Sequence, residues 1–144
     1  MVIKMQYIKS ITLIFTFLAF IFSCAGDSTA TNTANNTESK FTKTIQPSEF
    51  LAAYEATPGA LLIDVRTKKE FQAGTVSPKA INVDYHGENF VTDILEHDRS
   101  EPVFIYCFSG GRSSKAAYKM RQLGFDRIYE MKGGYQLWEK ENKK

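Results

Sequence analysis

Residues 102–124 read PVFIYCFSGGRSSKAAYKMRQLG. An apolar run ends in Cys107, a loop holds Gly110 and Gly111, and RSSKAAYKMRQLG then reads as a helix ending at Gly124. A continuous apolar run without alternation is the mark of a strand buried on both faces, as in a parallel sheet. Such a strand turning directly into a helix is half of a βαβ unit, and the rest of the chain supplies the same grammar. FTKTIQ, ALLIDVR, AINVDY and RIYEM read as further strands. PSEFLAAYEA, TKKEFQAG, ENFVTDILEH and YQLWEKEN read as helices, with Pro47 suited to a first turn and Gly74 to a stop. Strands alternating with helices predict an α/β fold with a central parallel sheet and helices on both faces. In open sheets of that kind, ligands sit beyond the carboxyl ends of the strands. Cys107 lies at such an end.

That placement gives the cysteine a chemistry. Gly110 and Gly111 permit unusual backbone angles in the turn, and consecutive amides in such a loop form a nest for an anion. The helix is expected to start near Arg112 or Ser113, adding about half a positive charge from its dipole, and Arg112 adds a cation. These surroundings favour thiolate over thiol. Lys115 and Lys119 share one face of the helix beyond and form a funnel for small anions. The bland reading is a buried cysteine beside a convenient turn.

The ends of the chain read differently. Lys4 and Lys9 flank an apolar core, ITLIFTFLAFIF (Ile11 to Phe22), of twelve residues, short of the roughly 20 that span a bilayer. Residues 1–24 therefore read as an export signal. Residues 25–40, AGDSTATNTANNTESK, carry no large apolar side chain and read as a disordered tether reaching about 20–24 Å r.m.s.. The folded domain is expected over 41–144. The chain has 18 basic and 16 acidic groups; loss of Lys4 and Lys9 with the signal leaves 16 against 16, which argues against a nucleic-acid partner. His86 and His97 read as solvated, and neither joins a cysteine or carboxylate at metal-ligand spacing, so no metal is expected.

Two resemblances sharpen these readings. Ile21-Phe22-Ser23-Cys24 resembles a bacterial lipoprotein signal, which implies lipidation at Cys24 and an exported protein of the cell envelope held to the membrane by its lipid. Ala25, rather than aspartate, follows the cysteine, which favours the outer membrane. Cleavage after Ala25 by an ordinary signal peptidase and an uncleaved anchor stay open as alternatives. The region from Ile45 to Trp138 resembles the rhodanese family through LLIDVRTKKEFQAG, AINV, PVFIYCFSGGRSS, LGF and MKGGYQLW, in that order. The resemblance implies a sulfurtransferase in which Cys107 carries sulfane sulfur as a covalent persulfide, with no other cofactor. It implies a small anionic sulfur donor such as thiosulfate, and cyanide or a thiol as acceptor. Phe108, Ser109, Gly110, Gly111, Arg112 and Ser113 match the cradle around that sulfur. Asp64 and Arg66 match an Asp-Val-Arg stretch and are expected, with Glu70, to brace the loop as structural charges. Gly133, Gly134 and Trp138 match a terminal motif at the pocket edge.

The chain departs from the family between Gly74 and Asn82, where Thr75 stands in place of a histidine and one residue is added, so that connection is expected to be reshaped. Phosphatases and arsenate reductases of the same fold have five residues between cysteine and arginine, room for a tetrahedral oxyanion. Here four intervene, Phe108 to Gly111, which suits a single extra sulfur. A thiol-disulfide oxidoreductase would want a resolving cysteine, and a cysteine hydrolase a histidine base. A non-catalytic interaction module of the rhodanese type is the remaining alternative.

Overall fold

The computed structural model describes residues 40–143. The expected export signal, the expected lipidation site Cys24 and all of the expected tether but Lys40 lie outside the described residues. The chain runs β1 (Phe41–Ile45), α1 (Pro47–Glu55), β2 (Leu61–Asp64), α2 (Lys68–Gln72), β3 (Ile81–Asn82), α3 (Phe90–Leu95), β4 (Val103–Tyr106), α4 (Gly111–Gln122), β5 (Arg127–Met131) and α5 (Gly134–Asn142). The five strands form one sheet in the order β1-β5-β4-β2-β3, with every pairing parallel. This is the expected α/β architecture, a central parallel sheet with helices packed on both faces.

β4 shows why its sequence is apolar without alternation. Side chains along a strand point to opposite faces. Val103, Ile105 and Cys107 enter one buried cluster with Ala116, Ala117 and Met120 of α4 and Phe90 and Ile94 of α3. Phe104 and Tyr106 enter the other, against Phe50, Leu51 and Tyr54 of α1 and Tyr135 and Trp138 of α5. Helices on both faces thus demand an apolar residue at every position. Phe104 stacks on Tyr129 at 4.5 Å between ring centroids and meets Phe50 edge-on at 5.4 Å. Each such fully buried side chain contributes about 1.5–3 kcal/mol relative to an exposed one.

Element ends differ from the sequence reading by a residue or more at most elements, and three of the differences bear on the site. β3 holds only Ile81 and Asn82 of the expected AINVDY. It is an edge strand, and the Asn82 side-chain amide donates to the carbonyls of Asp64 and Arg66, at 3.0 and 2.8 Å. α3 covers only Phe90–Leu95 of ENFVTDILEH. α4 begins at Gly111, earlier than Arg112, because Gly110 as N-cap has φ 99° and turns the chain into the helix at once.

The connection after α2 is locally specified. The Thr75 hydroxyl lies 2.7 Å from the Tyr106 hydroxyl and donates to the Ser77 carbonyl at 3.3 Å. The Ala80 amide donates to the Ser77 carbonyl, closing a turn at Ser77–Ala80 within the stretch that departs from the family. Burial pushes the Tyr106 phenol well above its ordinary range, so it remains a neutral hydroxyl partner.

Candidate active site

The loop of residues 107–111 joins β4 to α4 at the carboxyl edge of the sheet, and β4 lies between its two partners β2 and β5. Cys107 is buried, and its Sγ accepts the Gly110 amide at 3.1 Å. That contact requires the chain to curl back within three residues, which the left-handed Gly110 permits. Gly111, by contrast, has ordinary helical geometry, and a Cβ there would meet open space. Of the two glycines that permit unusual backbone angles in this turn, only Gly110 adopts one. The Gly110 carbonyl accepts from the Ser113 hydroxyl and the Ser114 amide, each at 3.0 Å. The first turn of α4 adds amides that helix geometry leaves without intrahelical acceptors.

Two further sets of contacts hold the loop. The Tyr135 amide donates to the Cys107 carbonyl at 2.8 Å and the Gln136 amide to the Phe108 carbonyl at 2.9 Å. The start of α5 is thereby fastened to the sulfur-bearing residue. Gly134 sits between them, so close that a Cβ would collide with the Cys107 carbonyl oxygen and lie 2.7 Å from that of Phe108. From the other side, Arg112 makes a two-pronged pair with Glu70, at 2.7 and 2.6 Å. Glu70 also accepts from the Thr67 amide and hydroxyl in a capping box at the start of α2.

Glu70 is therefore the carboxylate that reaches the loop. Asp64 and Arg66, expected to share that task, do something else. They form a buried pair, Nη2 to Oδ2 at 2.6 Å, and Arg66 also donates to the Gly74 carbonyl at 2.6 Å. The Arg66 guanidinium lies 4.0 Å from the centroid of the Tyr135 ring. Burial alone would lower its affinity for the proton, but the Asp64 carboxylate outweighs that and Arg66 stays charged. The pair braces the segment around Gly74 and Tyr135, and also meets Tyr106, the residue before Cys107. Tyr135 escaped the sequence reading because its value lies in its amide and in the ring it sets against Arg66; its place directly after Gly133-Gly134 was the available signal. Trp138 is half-buried in the α1/α5 cluster, 5.5 Å from Tyr135. His86 is exposed, and His97 is half-buried.

The Arg112 partnership holds the Glu70 carboxyl down to about 2 from an ordinary 4.5. A carboxyl whose folded value is depressed stabilises the fold above its unfolded value and loses that contribution as pH falls through the folded one. Glu70 is partly exposed, so solvent screening limits the effect to about 1 kcal/mol. Glu70→Gln is expected to be less stable than the parent by about that amount above about pH 5, with the difference vanishing near pH 2. Thermal melts of both chains across that range check it; a difference independent of pH would show that the pair does not brace the fold.

Comparison with known proteins follows the same outline. The rhodanese-like domain profile matches residues 46–141. The thiosulfate sulfurtransferase GlpE of Pseudomonas savastanoi pv. phaseolicola is 32% identical over 96 residues, covering 67% of this chain and 86% of that protein. The uncharacterized protein YqhL of Bacillus subtilis is 32% identical over 106 residues, covering 70% of this chain and 75% of its own. The crystal structure of a rhodanese-related protein from Thermoplasma volcanium superposes with a TM-score of 0.60 at 23% identity, over 69% of this chain and 93% of that one; this is a likeness of fold.

Proposed function

This chain belongs to the rhodanese-like domain family, and from that premise we propose that it moves sulfane sulfur through a persulfide on Cys107. The Cys107 thiolate attacks the outer sulfur of a donor such as thiosulfate. A sulfur–sulfur bond forms on Sγ, the donor's own sulfur–sulfur bond breaks, and sulfite leaves with the electron pair. A nucleophilic acceptor, cyanide or a thiolate, then takes the outer sulfur and returns Cys107 to the thiolate. Two half-reactions sharing one covalent intermediate give ping-pong kinetics.

The observation that carries this reading is the Gly110 amide directed at Cys107 Sγ inside a short loop, with only four residues between Cys107 and Arg112. An amide at 3.1 Å from the thiol sulfur is suited to a negative sulfur, and four residues between Cys107 and Arg112 suit one extra sulfur atom better than a tetrahedral oxyanion. The neighbouring pair with Glu70 keeps Arg112 protonated, with the Cys107 sulfur a further, smaller contribution in the same direction. Incubation with thiosulfate followed by intact-mass measurement is expected to show one added sulfur on the parent chain and none on Cys107→Ser. A Cys107→Ser chain that still loads sulfur would place the carrier elsewhere.

A further inference from the structure

Among the described residues, hollows that differ in charge border the sulfur loop. One, of about 300 Å³, touches Phe108 and carries the carboxylates of Glu70 and Glu139 beside Arg66, which is already paired with Asp64. A second, of about 350 Å³, touches Ser109 and carries Lys140 at its edge. A third, of about 570 Å³, runs along α4 from Gly111 and is lined by Tyr85, Tyr118, Lys115 and Lys119, with no acidic side chain in its wall. Neither lysine has an acidic partner among the described residues. The Lys119 ammonium lies 5.8 Å from the Phe90 ring centroid, beside Tyr85, whose ring meets Phe90 edge-on at 5.3 Å. Tyr118 is 68% exposed, and its hydroxyl accepts from the Gln122 amide at 3.1 Å.

Resting on the sulfur-transfer reading, we propose that this α4 groove is the acceptor subsite and that its occupant is a small organic thiol bearing carboxylates. Size argues for it: the volume falls in the range of roughly 300–1,000 Å³ that encloses drug-sized ligands, far beyond what cyanide or thiosulfate fills. Charge argues for it: Lys115 and Lys119 are four positions apart on one helix face, so their stems are neighbours and their ammonium groups can take a pair of carboxylates. Two tyrosine rings offer apolar surface to the carbon chain between. Access argues for it as well. Gly111 has no Cβ and open space where one would be, and it directly follows Gly110, whose amide touches Cys107 Sγ. A thiol held by its carboxylates along α4 thus has its sulfur end at the loop. Its thiolate attacks the outer sulfur of Cys107–S–SH, the enzyme's sulfur–sulfur bond breaks, an acceptor persulfide forms, and Cys107 leaves as thiolate with the electron pair.

The test separates loading from discharge. The full chain and Lys115→Gln/Lys119→Gln are loaded to completion with thiosulfate, confirmed by mass, and freed of donor. Discharge is then followed in single turnover with glutathione as the carboxylate-bearing probe and 2-mercaptoethanol as the neutral one. Glutathione discharge is expected to saturate in the parent, with half-saturation rising about tenfold in the double variant. The limiting rate and the neutral thiol should be unchanged. Lys115→Arg/Lys119→Arg should restore the parent behaviour, and added salt should weaken only the glutathione reaction. Equal half-saturation in parent and Gln variant, absence of saturation in the parent, or an equal loss with both thiols would overturn the assignment of the groove. Discharge by a protein dithiol alone would overturn it in favour of a protein acceptor. A parent chain that never gains the sulfur overturns the sulfur-transfer reading, and this one with it, before any acceptor is added.

Discussion

Gly134→Ala is expected to lower thermal stability sharply and to abolish sulfur loading at Cys107. Gly134 has φ 61°, in the left-handed region, where a Cβ costs about 1–2 kcal/mol. Its added methyl would also collide with the Cys107 carbonyl and press on that of Phe108. Relieving such overpacking typically costs about 1–3 kcal/mol. Together these give roughly 2–5 kcal/mol, or a drop of about 10–30 °C in Tm for a domain of this size. The only relief is to move α5 away from the loop, which breaks the Tyr135 and Gln136 amide bonds to Cys107 and Phe108. Gly111→Ala is the comparison: its φ is ordinary and its Cβ meets nothing within 4 Å, so its melting point should match or slightly exceed the parent's. Melts and mass-detected loading of the three chains check the contrast. A Gly134→Ala chain with a parental Tm and loading rate would show that this close approach does not position the sulfur.

The second large effect concerns loop length. One glycine inserted between Gly110 and Gly111 makes five residues between Cys107 and Arg112. Both ends of the loop are tied, Cys107 by the Tyr135 amide and Arg112 by Glu70, so the extra residue must bulge within it. The Gly110 carbonyl then loses its bonds from Ser113 and Ser114, and its amide loses its aim at Sγ. Loss of one oriented donor to a developing anion is worth about 2.7–4 kcal/mol, roughly 10²–10³ in rate. Sulfur transfer should fall by at least that factor in a variant shown by circular dichroism and melting to be folded. The wider loop better accommodates a tetrahedral oxyanion, yet aryl phosphate cleavage should rise only slightly, since the loop from Cys107 to Ser113 itself carries no carboxyl or imidazole to protonate the leaving group. A folded insertion variant that transfers sulfur at the parent rate would remove loop size as the selector of the chemistry.

Much of the architecture is legible in the amino-acid sequence, for local reasons. Apolar runs such as LLID and VFIY name strands buried on both faces, and Pro47, Gly74 and Gly124 punctuate helices by backbone geometry that is a property of the residue itself. A cysteine at the end of a central strand, with glycines close behind it, is placed at the ligand-binding edge by the same local logic. The ends of β3 and the start of α4 are less legible, because an edge strand stops where its one neighbour stops pairing and a helix starts where a single φ permits.

Periodicity and backbone permission along a few adjacent residues are enough to order the elements, make the sheet parallel and set Cys107 at the mouth of the loop before α4. They are not enough to say which charges meet that loop; long-range packing settles it. Glu70 and Arg112 are 42 residues apart, and Gly134 presses on Cys107 from another helix. Asp64, two residues from Arg66, pairs with it instead of bracing the loop. Such choices depend on distances between segments that the chain brings together only when the two cores close, and one-dimensional spacing carries no measure of them.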